Sequence, residues 1–132
     1  MNRVVISMGS NIQPEAHIKQ AKEKIAEQHR IVAESRLVET EPIGYLDQPH
    51  FVNGTILIET TMERESLKNW LSQLEGELGR VRTENRYGPR TIDLDIVVWN
   101  GELVDPDFCE RDFLRDTVLE VWPNFKLVEG CK

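Results

Sequence analysis

Residues 51–79 read FVNGTILIETTMERESLKNWLSQLEGELG, and the spacing of their apolar residues changes midway from that of a strand to that of a helix. Ile56 and Ile58 fall on one side of an extended chain, which predicts a strand with a buried face. Thr60 and Glu63 then have the spacing of a capping box, and Gly79 is a suitable end for the helix that follows. The inward stripe of this helix is predicted to contain Leu67, Trp70, Leu71, Leu74 and Leu78.

The residues before this segment predict a similar succession of elements. Residues 3–8 have the composition of a buried strand, and the turn-forming triplet Gly9-Ser10-Asn11 ends it. Pro14 suits the first turn of a helix. The inward face of this helix would contain Ile18, Ala21, Ile25 and Ala26. Residues 31–39 predict another strand, and the prolines and glycine within 40–50 predict an irregular loop.

The residues after this segment complete the fold. The stretch 91–99, TIDLDIVVW, predicts a strand, and Asn100-Gly101 between apolar residues predicts a two-residue hairpin turn. A last helix is expected within 111–122, ended by Pro123. The order β-α-β-β-α-β predicts an α+β protein with a ferredoxin-like βαββαβ sandwich, to which a hairpin and a C-terminal helix are appended. We expect residues 1–132 to form a single domain.

Charge and composition exclude several classes of protein. The formal net charge is −7, which opposes binding to nucleic acid or to anionic lipid. No segment is long and apolar enough to span a bilayer, and the N-terminus lacks the apolar core of a signal peptide, so we expect a cytoplasmic protein. Cys109 and Cys131 are far from a CxxC spacing, which predicts free thiols rather than a disulfide or a zinc site.

Two carboxylates lie in the predicted strand 91–99. Asp93 and Asp95 occupy alternate positions, so both side chains face the same side of the sheet. Two like charges are not buried together without a cation, and two hard oxygen ligands at this spacing suit Mg²⁺. The alternative is an exposed strand face on which both aspartates are solvated. Aspartate is a poor strand former, however, and such violations of propensity concentrate at functional sites.

Four arginines lie just before this strand, in GRVRTENRYGPR, with Glu84 as the single acidic residue among them. They are Arg80, Arg82, Arg86 and Arg90. Guanidinium groups beside a metal-binding pair provide the charge neutralisation and positioning that phosphoryl transfer needs. Two alternatives are a solvated loop that balances the acidic remainder and a nucleic-acid module. The acidic balance of the chain disfavours the nucleic-acid module.

The stretch 86–96, RYGPRTIDLDI, resembles the signature of the pterin pyrophosphokinase family, in which a basic residue and G-P-R precede D-L-D and two aliphatic residues. Further stretches resemble that family in the same order along the chain. They are GSN at 9–11, TEPIG at 40–44, DQP at 47–49, FVN at 51–53, LE at 74–75 and GRVR at 79–82.

The resemblance implies transfer of pyrophosphate from MgATP to 6-hydroxymethyl-7,8-dihydropterin, in folate biosynthesis, with release of AMP. Asp93 and Asp95 would bind two Mg²⁺ ions that bridge the phosphates of ATP. Arg82 and Arg90 would contact the polyphosphate and stabilise developing charge. The remaining nucleotide contacts would come from Arg80, Arg86, Glu75 and Ile96. The partners would be these small molecules, with neither nucleic acid nor membrane, and the enzyme would be a monomer.

The resemblance also implies a pterin site. Asn53 would hydrogen-bond the edge of the pterin, and Phe113 would stack on its ring beside Arg111. The other residues on the pterin side would be Thr40, Pro42, Ile43, Gly44, Phe51 and Tyr87. Phe51 and Tyr87 stand where the family usually has Tyr and often has Trp, so an aromatic body is kept at both positions.

The C-terminal part departs from the family pattern. A Pro-His segment that contacts ATP in the family is absent here, and 105–110 leads almost at once to Arg111-Asp112-Phe113. This departure implies that ATP is held chiefly by metal ions and arginines. It also keeps open a second hypothesis, a non-catalytic pterin- or nucleotide-binding relative. The presence of both aspartates favours the enzyme, because a binding protein needs no metal pair.

Overall fold

A computed structural model describes residues 1–42, 46–79, 91–105 and 108–126, in which six strands form one sheet. The strands are β1 (Asn2–Ser10), β2 (Arg30–Glu34), β3 (Val38–Thr40), β4 (Phe51–Thr60), β5 (Asp93–Trp99) and β6 (Glu102–Leu103). The helices are α1 (Pro14–Gln28), α2 (Arg64–Glu77) and α3 (Asp112–Val121), and a short 3₁₀ turn covers Phe108–Glu110. None of the helices in these ranges is long and apolar enough to cross a membrane.

The sheet is antiparallel in every described pairing, and its strand order is β2-β4-β1-β5-β6, with β3 also beside β4. The first strand is therefore at the centre, between β4 and β5. The hairpin predicted at Asn100-Gly101 joins β5 to β6, and both residues have positive φ angles, 50° and 88°, as tight hairpin turns require. The predicted α+β class is confirmed.

The two faces of the sheet bury separate apolar clusters. Helices α1 and α2 cover the face that contains Val4, Ile6 and Leu94, and the predicted inward residues Ile18, Ala21 and Ile25 are all buried there. Ala26 is exposed, so its assignment to that face is wrong. Helix α3 and the 3₁₀ turn cover the opposite face. The cluster on that face contains Val5, Leu57, Val97, Val98, Phe108, Leu114, Val118, Val121 and Phe125.

The strand predicted across 31–39 is two strands, which corrects the sequence-based expectation. Both β2 and β3 pair antiparallel with β4 along the same edge, and their register shifts by one residue between them, so the interruption is a bulge. At this bulge a methyl group on Gly54 would lie 2.8 Å from Cδ2 of Leu37 and 3.3 Å from Oγ of Ser35. Gly54 thus leaves room for the Leu37 side chain, and this contact across the strands is invisible within 31–39 itself.

The predicted capping box at the start of α2 is also wrong. Thr60 is the last residue of β4, and the N-cap of α2 is Glu63, which makes no side-chain capping bond. The hydroxyl of Thr60 instead accepts a hydrogen bond from the backbone N–H of Met62 at 3.0 Å and contacts Nδ1 of His29 at 2.9 Å. Helix α2 ends as expected, with Gly79 at a φ of 91°.

Cys109 is disulfide-bonded, so the prediction of a free thiol is wrong for this residue. The prediction rested on the absence of a CxxC spacing, which does not restrict disulfides between cysteines distant in sequence. The other cysteine of the sequence, Cys131, lies outside the described residues.

A buried histidine gives the fold an expected pH dependence. The ring of His29 packs edge-on against Trp70 at 4.6 Å, and among the described residues its Nε2 has no hydrogen-bond partner. Burial lowers the pKa of His29 from its ordinary value of 6.5, so the unfolded chain binds a proton more readily than the folded one. This contribution to stability is fully present above pH 6.5 and is lost as the pH falls from there toward the folded pKa.

We expect urea unfolding to show a free energy that declines below pH 6.5, and His29→Phe to flatten that decline. If the free energy of unfolding had the same pH dependence in the wild type and in His29→Phe, the buried ring would not be the source of the decline.

Candidate active site

The register of the three central strands aligns polar residues across one face of the sheet. Gly9 of β1 pairs with Asn53 of β4 on one side and with Asp93 of β5 on the other. Paired residues of neighbouring strands point to the same side, so these positions form a row. From the spacing of strands, the α-carbons of Asn53 and Asp93 are about 10 Å apart. The fold therefore brings the predicted pterin-binding amide and the predicted metal ligands to one face.

Asp93 and Asp95 both face the α3 side of the sheet, while Leu94 between them is buried against α1 and α2. Asp93 is partly buried and Asp95 is exposed. No group of three or more metal-ligating side chains occurs within the described residues. This donor set fits Mg²⁺, which is commonly held by one or two carboxylates and completed by water and substrate phosphates.

On the other side of Gly9, Asn53 is held in a defined orientation. Its Nδ2 donates a hydrogen bond to Oγ1 of Thr40 at 2.6 Å, and Thr40 pairs with Phe51 across β3 and β4. A methyl group on Gly9 would lie 2.8 Å from Oδ1 of Asn53, so the amide lies directly over the glycine. Three predicted pterin residues are thus adjacent on this face. Pro42, two residues beyond Thr40, is buried.

Asn11 anchors the loop that precedes β4; from the sequence it was predicted only as part of a turn and of the family-like stretch 9–11. Its Nδ2 donates to Oε1 of Gln48 at 2.7 Å and to the backbone oxygen of Pro49 at 3.1 Å. The residue is almost fully buried. An asparagine directly after a buried strand was the available signal, but its partners lie 37 and 38 residues away in sequence.

The N-terminus of helix α3 lies toward the same end of the sheet, and the helix runs from there toward the start of β1. The backbone oxygen of Thr117 accepts a hydrogen bond from Thr55 at 2.9 Å, and Trp122 near the C-terminus of α3 stacks on Arg3 at the start of β1. Phe113 lies about one helical turn before Thr117, toward the N-terminus of α3 and so toward the end of the sheet that carries Asn53. Arg111 is the N-cap of α3 and lies at this end too.

Glu75 and Ile96 lie on the α1–α2 side of the sheet, opposite the face to which the two aspartate side chains point. Ile96 follows Asp95 in β5, so its side chain points to the opposite face, where it packs on the α1–α2 side of the sheet. Glu75 of α2 is 5% exposed, and its Oε2 accepts a hydrogen bond from the backbone N–H of Leu94 at 2.7 Å. Their nucleoside contacts stay predictions.

The remaining predicted site residues lie outside the described residues. They are Ile43, Gly44, Arg80, Arg82, Arg86, Tyr87 and Arg90. The flanks of the arginine segment are described: a methyl group on Gly79 would be 4.0 Å from Cγ2 of Thr91. Gly79 and Thr91, the described residues on either side of 80–90, therefore lie close together just before the strand that carries the aspartates.

Known proteins resemble this chain over most of its length. The family model described as "7,8-dihydro-6-hydroxymethylpterin-pyrophosphokinase (HPPK)" matches residues 5–123. A "2-amino-4-hydroxy-6-hydroxymethyldihydropteridine pyrophosphokinase" of Pseudomonas aeruginosa is 39% identical over 141 residues, which cover 98% of this chain and 86% of that protein. The protein of the same name from Bacillus subtilis is 39% identical over 134 residues, 92% of this chain and 79% of its own length.

A longer relative carries the similarity in one part of its chain. The "Folate synthesis bifunctional protein" of Arabidopsis thaliana is 35% identical over 106 residues, 79% of this chain and 22% of that protein. The match to the Pseudomonas protein is longer than the 132 residues of this chain, so that relative has residues without a counterpart here.

Proposed function

The chain belongs to the 7,8-dihydro-6-hydroxymethylpterin-pyrophosphokinase family, and we propose that it transfers pyrophosphate from ATP to 6-hydroxymethyl-7,8-dihydropterin, giving AMP and the pterin diphosphate. It is an ATP-dependent pyrophosphotransferase of folate synthesis. The observation that carries the proposal is the row Asn53–Gly9–Asp93, in which Asn53 and Asp93 lie about 10 Å apart on one face. The amide of Asn53 would serve the pterin, and the carboxylates of Asp93 and Asp95 would serve a metal–nucleotide complex.

Asp93 and Asp95 would hold Mg²⁺, in two ions as in the family resemblance. Bound there, the metal would polarise phosphate oxygens and neutralise charge on the polyphosphate. The support for this assignment is that the two carboxylates share a face and that at least one of them is open to solvent. The position of Gly79 beside Thr91 also supports a role for the arginines, because both flanks of 80–90 adjoin β5.

The other residues of the row would bind and orient the acceptor. Asn53, fixed by Thr40, would present its amide to the hydrogen-bonding edge of the pterin. Phe51 and Phe113 would contribute apolar surface for the ring, with Arg111 beside them at the N-terminus of α3. Such positioning would set the pterin hydroxymethyl group in line with the β-phosphorus, and positioning is the main source of catalysis in phosphoryl transfer.

ATP would be held chiefly through its phosphates. Residues 104–111 are all that connects β6 to α3, which leaves little chain for further nucleotide contacts. The relative from Pseudomonas has residues that this chain lacks, in agreement with a missing segment. We further propose that the fold is the ferredoxin-like sandwich in a single-domain monomer. The strand order and the placement of α1 and α2 on one face support this arrangement.

The test is incubation of the protein with ATP, Mg²⁺ and reduced hydroxymethylpterin, with separation of the nucleotides formed. We expect AMP and the pterin diphosphate in equal amounts, because the bond broken lies between the α- and β-phosphates. Formation of ADP would indicate an ordinary kinase. Pterin binding without any turnover would favour the non-catalytic relative instead.

A further inference from the structure

Strand β5 has an uncovered edge beside its two aspartates. One edge of β5 pairs with β1 from Val4 to Gly9. On the other edge, β6 pairs only with Val98 and Trp99 at the far end of the strand. Within the described residues, no strand covers this edge of β5 near Leu94. Backbone N–H groups on an uncovered edge need another partner when they are buried.

Glu75 supplies that partner from helix α2. Successive residues of an antiparallel strand point their N–H groups alternately toward and away from a given neighbour. The N–H of Leu94 is directed to Oε2 of Glu75 at 2.7 Å, away from β1. The carboxylate is 5% exposed, and Leu94 is equally buried. A carboxylate acceptor makes this hydrogen bond stronger than one between neutral groups.

The donor of this bond belongs to the peptide unit that joins Asp93 to Leu94. Because the peptide is planar, holding its N–H restricts the ψ angle of Asp93 and the φ angle of Leu94. These are two of the four backbone angles that relate the direction of the Asp93 side chain to that of Asp95. A second contact lies one helical turn further along, where Gly79 meets Thr91. The end of α2 thus adjoins β5 on both sides of Asp93.

We infer that Glu75 is a positioning residue, which aligns the carboxylates of Asp93 and Asp95 for a divalent cation by holding the peptide between Asp93 and Leu94. The inference rests on the proposed function for the role of the two aspartates. It differs from the predicted nucleoside contact of Glu75, since it acts through the backbone of β5 and requires no contact with ATP. Residues that orient metal ligands typically change metal affinity or activity by about 10- to 100-fold when they are mutated.

The test compares variants that separate the charge of Glu75 from its reach. Glu75→Gln keeps an oxygen acceptor at the same distance and loses the charge. Glu75→Asp keeps the charge but is one methylene shorter, so it cannot reach the N–H of Leu94 without a backbone shift. If positioning is its role, the glutamine variant should retain more metal affinity than the aspartate variant. Glu75→Leu, which removes the acceptor, should lose about 10- to 100-fold.

Metal affinity would be measured with Mn²⁺, whose free form is counted by electron paramagnetic resonance, in the presence of the α,β-methylene analogue of ATP. Hydrogen exchange of the Leu94 amide gives a second readout that does not depend on activity. It should be slow in the wild type and Glu75→Gln, and faster in Glu75→Asp. The matched control is Glu77→Gln, since Glu77 is exposed on the same helix, and we expect no change in either measurement.

The outcomes separate this inference from the proposed function. Higher Mn²⁺ affinity in Glu75→Asp than in Glu75→Gln would overturn positioning and favour a direct role of the charge. Unchanged Mn²⁺ affinity in all Glu75 variants would overturn it as well. If Glu75→Leu fails to fold, the comparison of Mn²⁺ affinity between Glu75→Gln and Glu75→Asp still tests the inference. Absence of AMP formation by the wild type would contradict the proposed function, whatever the variants do.

Discussion

Asp95→Ala is expected to reduce the rate of AMP formation by at least about 100-fold while leaving the protein folded. Loss of a metal ligand removes several kcal/mol of charge stabilisation in the transition state, and each 1.4 kcal/mol corresponds to a factor of ten. Asp95 is exposed on the sheet face, so its replacement should change the free energy of unfolding by no more than about 0.5 kcal/mol. Initial rates over a range of Mg²⁺ concentrations and thermal unfolding would measure the two effects.

Asp93→Ala should have an effect of similar size on the rate. The matched control is Glu102→Ala, which removes an exposed carboxylate from β6, at the other end of β5. Its rate should equal that of the wild type. Near-normal Mg²⁺-dependent turnover in either aspartate variant would show that the metal is held elsewhere.

Gly9→Ala is expected to raise the Michaelis constant for the pterin by about tenfold or more, with little change in binding of the ATP analogue. The added methyl group would lie 2.8 Å from Oδ1 of Asn53, closer than real contacts of this kind. The amide must then move, which disturbs its 2.6 Å hydrogen bond to Thr40. A lost hydrogen bond to a bound polar edge costs on the order of 1.4 kcal/mol, or a factor of ten.

A double-mutant cycle tests whether this effect passes through Asn53. If it does, adding Gly9→Ala to Asn53→Ala should weaken pterin binding little further, because the displaced group is already gone. The control is Gly76→Ala, since Gly76 is exposed in α2 and an added methyl group has open space around it. That variant should keep its pterin constant and gain about 0.5–1 kcal/mol of stability. Additive effects of the two site mutations would contradict the role assigned to Gly9.

Much of the fold could be predicted because apolar spacing reports directly which side of an element is buried. Ile18, Ala21 and Ile25 are buried as their helical spacing indicates, and Asn100-Gly101 forms the hairpin that its residue types favour. The predictions of the fold fail where a residue distant in sequence determines the local structure. The interruption between β2 and β3 is a one-residue shift in their register with β4, which no pattern within 31–39 could reveal.

The candidate site, too, could be predicted from the sequence only in part. The two-residue period of a strand was enough to place Asp93 and Asp95 on one face. Which residues flank them depends on strand order and register, which local spacing does not specify. The alignment of Asn53 and Gly9 with Asp93 could therefore be recognised only from the strand order and register of the sheet. The bond from Leu94 to Glu75 could not be predicted for the same reason, because it requires knowing that, within the described residues, no strand lies beside this edge of β5 near Leu94.

The central place of β1 has a consequence for synthesis of the chain. Val5 pairs with Leu57 on one side and with Val98 on the other, so β1 leaves the ribosome before both of its neighbours and acquires the second only when β5 has been made. Pairings this distant in sequence form slowly and leave apolar strands unprotected in the meantime. The row Asn53–Gly9–Asp93 needs all three strands. A nascent chain in which β5 is still inside the ribosome can therefore pair β1 with β4 and place Asn53 beside Gly9, but it has neither carboxylate on this face.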